Sequence, residues 1–225
     1  MAAQAAAAPR ARPVTPLDER HRLAQRLLSA QVDRALAGLV DQLDTLSEAE
    51  LAAYHDAAYP IVAGGQRQAA TYGAGYGLEL TRQPGVQPTA LELAGALQRS
   101  GVMVTPESRS LVAPVLRTRR LVNEGATLGE AKQQAATYAA ELASGDLNAA
   151  QRVGIDEGAA AGGADVAGYR KETGGDACDW CRGVADDRLY SSADSVPFHA
   201  HDRCSVSVVL DRDRPPAAGD ADIPF

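Results

Sequence analysis

"ATYGAGYGLEL", residues 70–80, admits two readings with different folds behind them. The glycines could form a loop that cradles a phosphate, but such a loop follows a strand and carries a lysine, and neither is present. The alternative is a helix in which Gly73 and Gly77 share one face and let a second helix approach closely. The same spacing pairs helices in membranes, yet no run of about 18 strongly apolar residues occurs in the chain. The stripe is therefore read as packing inside a helical body.

Composition agrees. Of 225 residues, 45% are hydrophobic but only 4% aromatic, and much of the apolar share is alanine. Alanine buries little surface per residue and favours helix strongly, so a sheet-dominated fold is disfavoured. The formal net charge is −7, a poor starting point for gripping duplex DNA, which normally meets a basic face.

Working outward towards the N-terminus, "TPLDE" announces a helix. Thr15 can cap it, Pro16 suits its first position, and Asp18 and Glu19 face the positive end of the dipole. Leu23, Leu27, Val32, Leu36, Leu39 and Leu43 recur at steps of three to five and predict one apolar face. Ser47 and Glu50 have capping-box spacing before the next helix. There Pro60 and the pair Gly64-Gly65 predict a kink or a break. The preceding stretch "MAAQAAAAPRARP" lacks the leucine-like core of an export signal and is read as a disordered tail.

Towards the C-terminus, "QPGVQP" at 83–88 reads as a loop, and Thr89 with Glu92 opens a short helix that ends at Gly101. Thr105-Pro106-Glu107 begins another, running to about Gly125. Arg117, Arg119 and Arg120 on it form the densest basic cluster, read as ion pairs or a solvated face before a nucleic-acid contact. Thr127 and Glu130 cap a helix expected to stop at Gly145, with Asp146 capping the next. After Gly163 the texture changes: "DVAGYRKE" and "SVSVVL", residues 205–210, read as strands.

All three cysteines fall in this last part, in "CDWC" (178–181) and "FHAHDRC" (198–204). An odd number of thiols argues against a disulfide framework. The spacing is C-x2-C, nineteen residues, then H-x2-C. A tetrahedral zinc site suits it: one turn supplies two sulfurs, and a second short element supplies the other two donors. The expected ligands are Cys178, Cys181, His201 and Cys204, with His199 as the alternative nitrogen donor. Competing readings are a redox pair, which would want an α/β context, a nucleophilic cysteine with a histidine base, and three buried unligated thiols. Four protein donors would close the shell, and the H-x-E of zinc deaminases is missing, so the site is read as structural. From Asp176 to Asp213 eight aspartates face four arginines, an unsuitable balance for gripping phosphates. A segment too small for its own core would gain from a metal staple.

The stretch "GYRKETGGDACDWCRGVADDRLYSSAD…FHAHDRCSV" resembles the C-terminal module of MuF-like minor head proteins of tailed bacteriophages. In that family an aromatic-basic strand leads into C-x2-C, and a histidine–cysteine pair closes the site. The helices before it, from "RTRRLVNEG" to "LNAAQRVG", resemble the actinobacterial phage versions. The likeness covers about 110–210 well and 17–110 more loosely. Where such proteins often end on C-x-C, Cys204 here precedes Ser205 and Val206, which makes His201 or His199 more necessary as a donor.

The resemblance implies a minor capsid protein of the virion head or procapsid, made in the host cytoplasm. It would contact portal protein, scaffold or major capsid protein, with at most weak DNA contact and no membrane, and assist head assembly and DNA packaging or ejection. Two alternatives stand beside it. One is a capsid maturation protease, for which Ser191, Ser192 and Ser195 lie near His199. The other is a zinc-dependent nucleic-acid module. The expected fold is mainly α with a small C-terminal zinc-stapled α+β module. Its parts would be a disordered tail (1–16), a helical body (17–145), the MuF-like module (146–212) and an irregular acidic tail (213–225).

Overall fold

A computed structural model describes residues 15–82, 89, 94, 108–163, 165–173, 178–185, 188–193, 195–198 and 204–211. Its elements are α1 (Pro16–Asp41), α2 (Glu48–Thr81), α3 (Ser108–Asn123), α4 (Leu128–Gly162), β1 (Val166–Glu172), α5 (Asp179–Val184) and β2 (Ser205–Leu210). The chain is mainly helical, as composition implied. The loop at 83–88, the box closed by Glu92, the helix end at Gly101 and the start at 105–107 lie outside the described residues, as do 1–14 and 212–225.

Capping chemistry sets the helix starts. The Thr15 Oγ1 accepts from the Asp18 N–H at 3.3 Å, and the Asp18 carboxylate accepts from the Thr15 N–H at 2.7 Å. Thr15 and Pro16, grouped with the tail by sequence, are thus the cap and first residue of α1. Thr127 and Glu130 form the same reciprocal box on α4. Ser47 caps α2, but the Glu50 carboxylate turns instead to the N–H groups of Asp44, Thr45 and Leu46. Slight burial opposes its ionisation; those hydrogen bonds outweigh it and hold the carboxyl below its usual range.

The buried face of α1 is not the expected one. It runs His21, Gln25, Leu28, Val32, Leu36, Val40, while Leu23 and Leu27 are 50% and 62% exposed. Leu27 and Leu28 lie about 100° apart on a helix, so only one can face inward. The face that wins continues through two polar residues that a hydrophobic count ignores. α1 does pack against its neighbours, antiparallel to α2 and α4, as Val32 at Gly65 and Gln25 at Asn148 show.

α2 runs unbroken through Pro60 and Gly64-Gly65, correcting the expected interruption where it meant a break. An interior proline costs about 3 kcal/mol, which packing must offset. Ala58, Val62, Ala63, Gly65 and Gln66 are all buried around it. α4 likewise passes through Gly145 without stopping, so Asp146 lies inside the helix and not at its start. A glycine there costs about 1 kcal/mol against alanine, and buried Ala143 and Leu147 on either side hold the helix to the core.

The seam between α2 and α4 is the centre of the molecule, and here the glycine reading is borne out. The two helices run parallel: Gly65 meets Leu147, Gly73 meets Gln151 and Ile155, and Gly77 meets Ile155 and Ala159. From the other side Gly154 faces the Ala70 carbonyl and Gly158 that of Ala74. Backbone packs on backbone from Ala70 to Gly77 of α2 and from Gln151 to Ala159 of α4. α3 completes the body through buried Leu111, Val115 and Thr118.

Gly163, left-handed at φ 68°, ends α4 and releases the chain into β1. β1 and β2 pair antiparallel, with Tyr169 opposite Val208 and Glu172 opposite Ser205. On its other edge β1 exchanges two 2.8 Å backbone hydrogen bonds with Tyr190. Gly168 lies in an irregularity of the ladder at φ 154°, where a Cβ would stand 2.8 Å from the Tyr190 carbonyl oxygen. The strands share a core with the helix ends: Tyr76, Ile155 and Ala159 pack with Tyr169, Val206, Val208 and Leu210. The C-terminal segment therefore draws its hydrophobic anchor from the body, in place of the coreless module expected.

Candidate functional site

Three short pieces carry the chemistry singled out in the sequence, and β1 lies at their centre. Cys178 is the N-cap of α5, its Sγ accepting from the Cys181 N–H at 3.4 Å. Cys178 is exposed and Cys181 buried, and no disulfide joins them. Arg182, one turn on, donates to the Asp179 Oδ1 at 2.6 Å. That bond, against slight desolvation, keeps the guanidinium strongly basic, and the charges of Asp179, Cys178 and Cys181 add to it. Cys204 is buried immediately before β2, where pairing of Glu172 with Ser205 brings it beside the end of β1.

The donor chemistry fits zinc. Two thiols sit on one turn, as C-x2-C ligation requires, and a third is buried at the head of a strand. Among the described residues no three His, Cys, Asp or Glu side chains are gathered closely enough to hold an ion. His199 and His201, the expected nitrogen donors, lie outside the described residues.

What joins the two cysteine-bearing stretches is a residue the sequence reading passed over. Lys171 on β1 is buried to 1% exposure, and its Nζ donates to the Pro197 carbonyl at 2.8 Å. The ammonium lies 4.8 Å from the centre of the Trp180 ring, inside "CDWC", and 4.6 Å from that of Phe198, at the head of "FHAHDRC". Arg152 of α4 lies 4.8 Å from the Phe198 ring as well. Ring faces are electron-rich and attract cations, more so when water is excluded. The only available signal was a lysine in a strand flanked by buried neighbours, and alternation does not reveal it, since Tyr169, Arg170 and Lys171 are all buried.

The loop before Phe198 is fixed from α4. Asp156 accepts from the Ala193 N–H at 2.9 Å, and it is also the hydrogen-bond partner of the Tyr169 hydroxyl. Burial first, and then Asp156, push that phenol well above its usual range. Ser192 and Ser195 serve their own turn: each hydroxyl accepts the other's N–H at 3.2 Å, and the Ser195 hydroxyl donates to the Ser192 carbonyl at 2.7 Å.

The basic cluster is engaged within the chain. Arg119 donates to the Leu46 carbonyl at 2.7 and 3.1 Å and to Glu48 at 2.8 Å. Arg120 pairs with Glu124 at 3.3 Å, and Arg117 lies over the Tyr138 ring at 4.8 Å. The intramolecular reading of these arginines holds.

A second polar group, unforeseen, lies buried where α1, α2 and α4 meet. The Tyr76 hydroxyl donates to the Asp18 Oδ1 at 2.7 Å, the His21 ring stacks on Tyr76 at 4.3 Å, and the His21 Nε2 meets the Gln151 amide. Burial lowers the His21 pKa to about 4, countered in part by Asp18 and reinforced by Arg22. No described helix is long and apolar enough to cross a membrane. No family model, curated protein or solved structure matches this chain.

Proposed function

We propose that the chain is a structural protein of a tailed-phage head, a minor capsid component of MuF-like type. It would act through protein contacts with portal, scaffold or major capsid protein. The observation that carries the reading is the order of pieces around β1. An aromatic-basic strand, "GYRKE", precedes the C-x2-C turn in the chain, and the third cysteine lies at the head of the strand that pairs with it. That is the order on which the resemblance rests. A helical body with a backbone-tight seam supports a load-bearing role, because close-packed interiors transmit strain with little give.

Cys178, Cys181 and Cys204, with His201 or His199, would hold a structural zinc. When bound, the ion supplies a cross-link between the α5 turn and the head of β2. Within the chain, Cys178 caps α5, Lys171 holds Trp180 and Phe198 to one strand, and Asp156 fixes the intervening loop. Neither alternative draws comparable support. Ser192 and Ser195, two of the three serines a protease could use, are committed to a turn, and the arginines that a nucleic-acid module would need are engaged internally.

Quantitative mass spectrometry of purified virions tests the proposal. Peptides from this chain are expected at a few copies per particle, persisting after salt washing. Virions that lack it throughout assembly, with procapsids equally devoid of it, would overturn the assignment.

A further inference from the structure

We infer that Lys171 is the positioning residue that sets the distance between the two cysteine-bearing turns, and so preorganises any metal site they form. This rests on the zinc reading above only for its metal arm. The case for the clamp is geometric. A buried ammonium needs compensation, and this one has a carbonyl oxygen at 2.8 Å and ring centres at 4.6 and 4.8 Å. One ring belongs to the residue between Cys178 and Cys181; the other lies six residues before Cys204. Both therefore face one cation on a strand that is anchored to α2 and α4 through Tyr169. Shortening, lengthening or neutralising that cation shifts the α5 turn relative to the 197–198 segment. The helices have no reason to move. Trp180 is 45% exposed, so a water-filled side of the ring and a cation-bearing side coexist.

The test is favoured by composition: Trp180 is the chain's single tryptophan, so its emission reports the clamp directly. Full-length protein is compared with Lys171→Met, which keeps the stem and removes the charge, and with Lys171→Arg, which keeps a cation able to lie on aromatic faces. In Lys171→Met, acrylamide quenching of Trp180 is expected to rise about twofold, and zinc affinity against a chromophoric chelator to fall about tenfold, as lost support around metal ligands typically does. Lys171→Arg should restore most of both. Quenching unchanged in Lys171→Met would overturn the clamp. So would equal loss of zinc affinity in the Met and Arg variants.

If wild-type protein takes up no zinc while the quenching result appears as expected, the metal reading falls and the clamp stands. Should Lys171→Met fail to fold, Phe198→Leu removes one ring and leaves both the lysine and the reporter. A partial rise in quenching supports the clamp, and none refutes it.

Discussion

Replacing Gly77 by alanine tests the helical seam at a point where backbone meets backbone. A Cβ built there stands 2.6 Å from both the Ile155 carbonyl oxygen and the Ala159 nitrogen, where ordinary contact begins near 3.4 Å. The obstacle is backbone on a packed helix, so no side chain can swing aside, and α2 and α4 must part by several tenths of an ångström. Overpacking of this kind costs about 1–3 kcal/mol, and a backbone obstacle places it near the top. Alanine returns about 1 kcal/mol of helix propensity. The expected net loss is about 2 kcal/mol, a fall in Tm of roughly 4–8 °C for a chain of this size. Gly145→Ala is the matched control, because it lies mid-helix in α4 with nothing within 4 Å of its Cβ. There the propensity gain acts alone, and stability should rise by about 0.5–1 kcal/mol. Urea and thermal unfolding followed by circular dichroism read both. If the two variants move in the same direction, or Gly77→Ala matches wild type, the parallel backbone seam is misplaced.

Lowering the pH isolates His21. Its folded pKa is about 4 against an ordinary 6.5, so the unfolded chain takes up the proton first, and stability is retained above 6.5 and lost as pH falls towards 4. About 3 kcal/mol is expected to disappear over that window; His21→Phe should flatten it, and an imidazole titrating above 6 by NMR would contradict the burial. Arg119→Ala removes the bonds that hold Leu46, whose backbone stands at φ 54°. It should cost about 1–2 kcal/mol of stability and leave DNA binding in filter assays as weak as before. Cys178→Ser retains an N-cap, since serine caps at least as well, so helical signal should persist while native mass spectrometry records loss of zinc. A Cys178→Ser chain that still carries one zinc would exclude Cys178 as a ligand.

How much was legible in advance depended on whether the signal was local. Thr15, Ser47 and Thr127 were readable as caps because capping involves residues three apart. "SVSVVL" was readable because Val206, Val208 and Leu210 alternate onto one face. Gly73 and Gly77 were readable because a stripe of missing side chains has few uses beyond helix packing where the sequence holds no strongly apolar run of membrane length. The failures share the opposite cause. Gly145 and Pro60 look like breaks to anyone counting propensities, and only the packing of Ala143, Leu147 and Val62 keeps the helices running. Leu23 and Leu27 look like core until His21 and Gln25 are seen to hold that position by bonding to Gln151 and Asn148. At the candidate site, the thiols announced themselves by type and spacing. Lys171 did not, because a lysine's burial is settled by the rings around it, drawn from residues 9 and 27 positions away.

These contacts redistribute the work assigned to a metal. A segment with no core of its own would need a staple, yet β1 and β2 share a hydrophobic cluster with Tyr76, Ile155 and Ala159. Apolar burial contributes roughly 25 cal/mol per Å², so several buried valine, leucine and tyrosine side chains can hold the strand pair to the helices without an ion. What that cluster does not reach is α5, six residues long and far below the length at which a helix is stable alone. The described contacts that hold α5 are Cys178 as its cap, the Lys171 cation under Trp180 and the Tyr190 hydroxyl on the Val184 carbonyl. Among the described residues, the part that this cluster leaves out is thus α5 and not the whole module. A metal placed there would stiffen a turn that the shared hydrophobic cluster does not include.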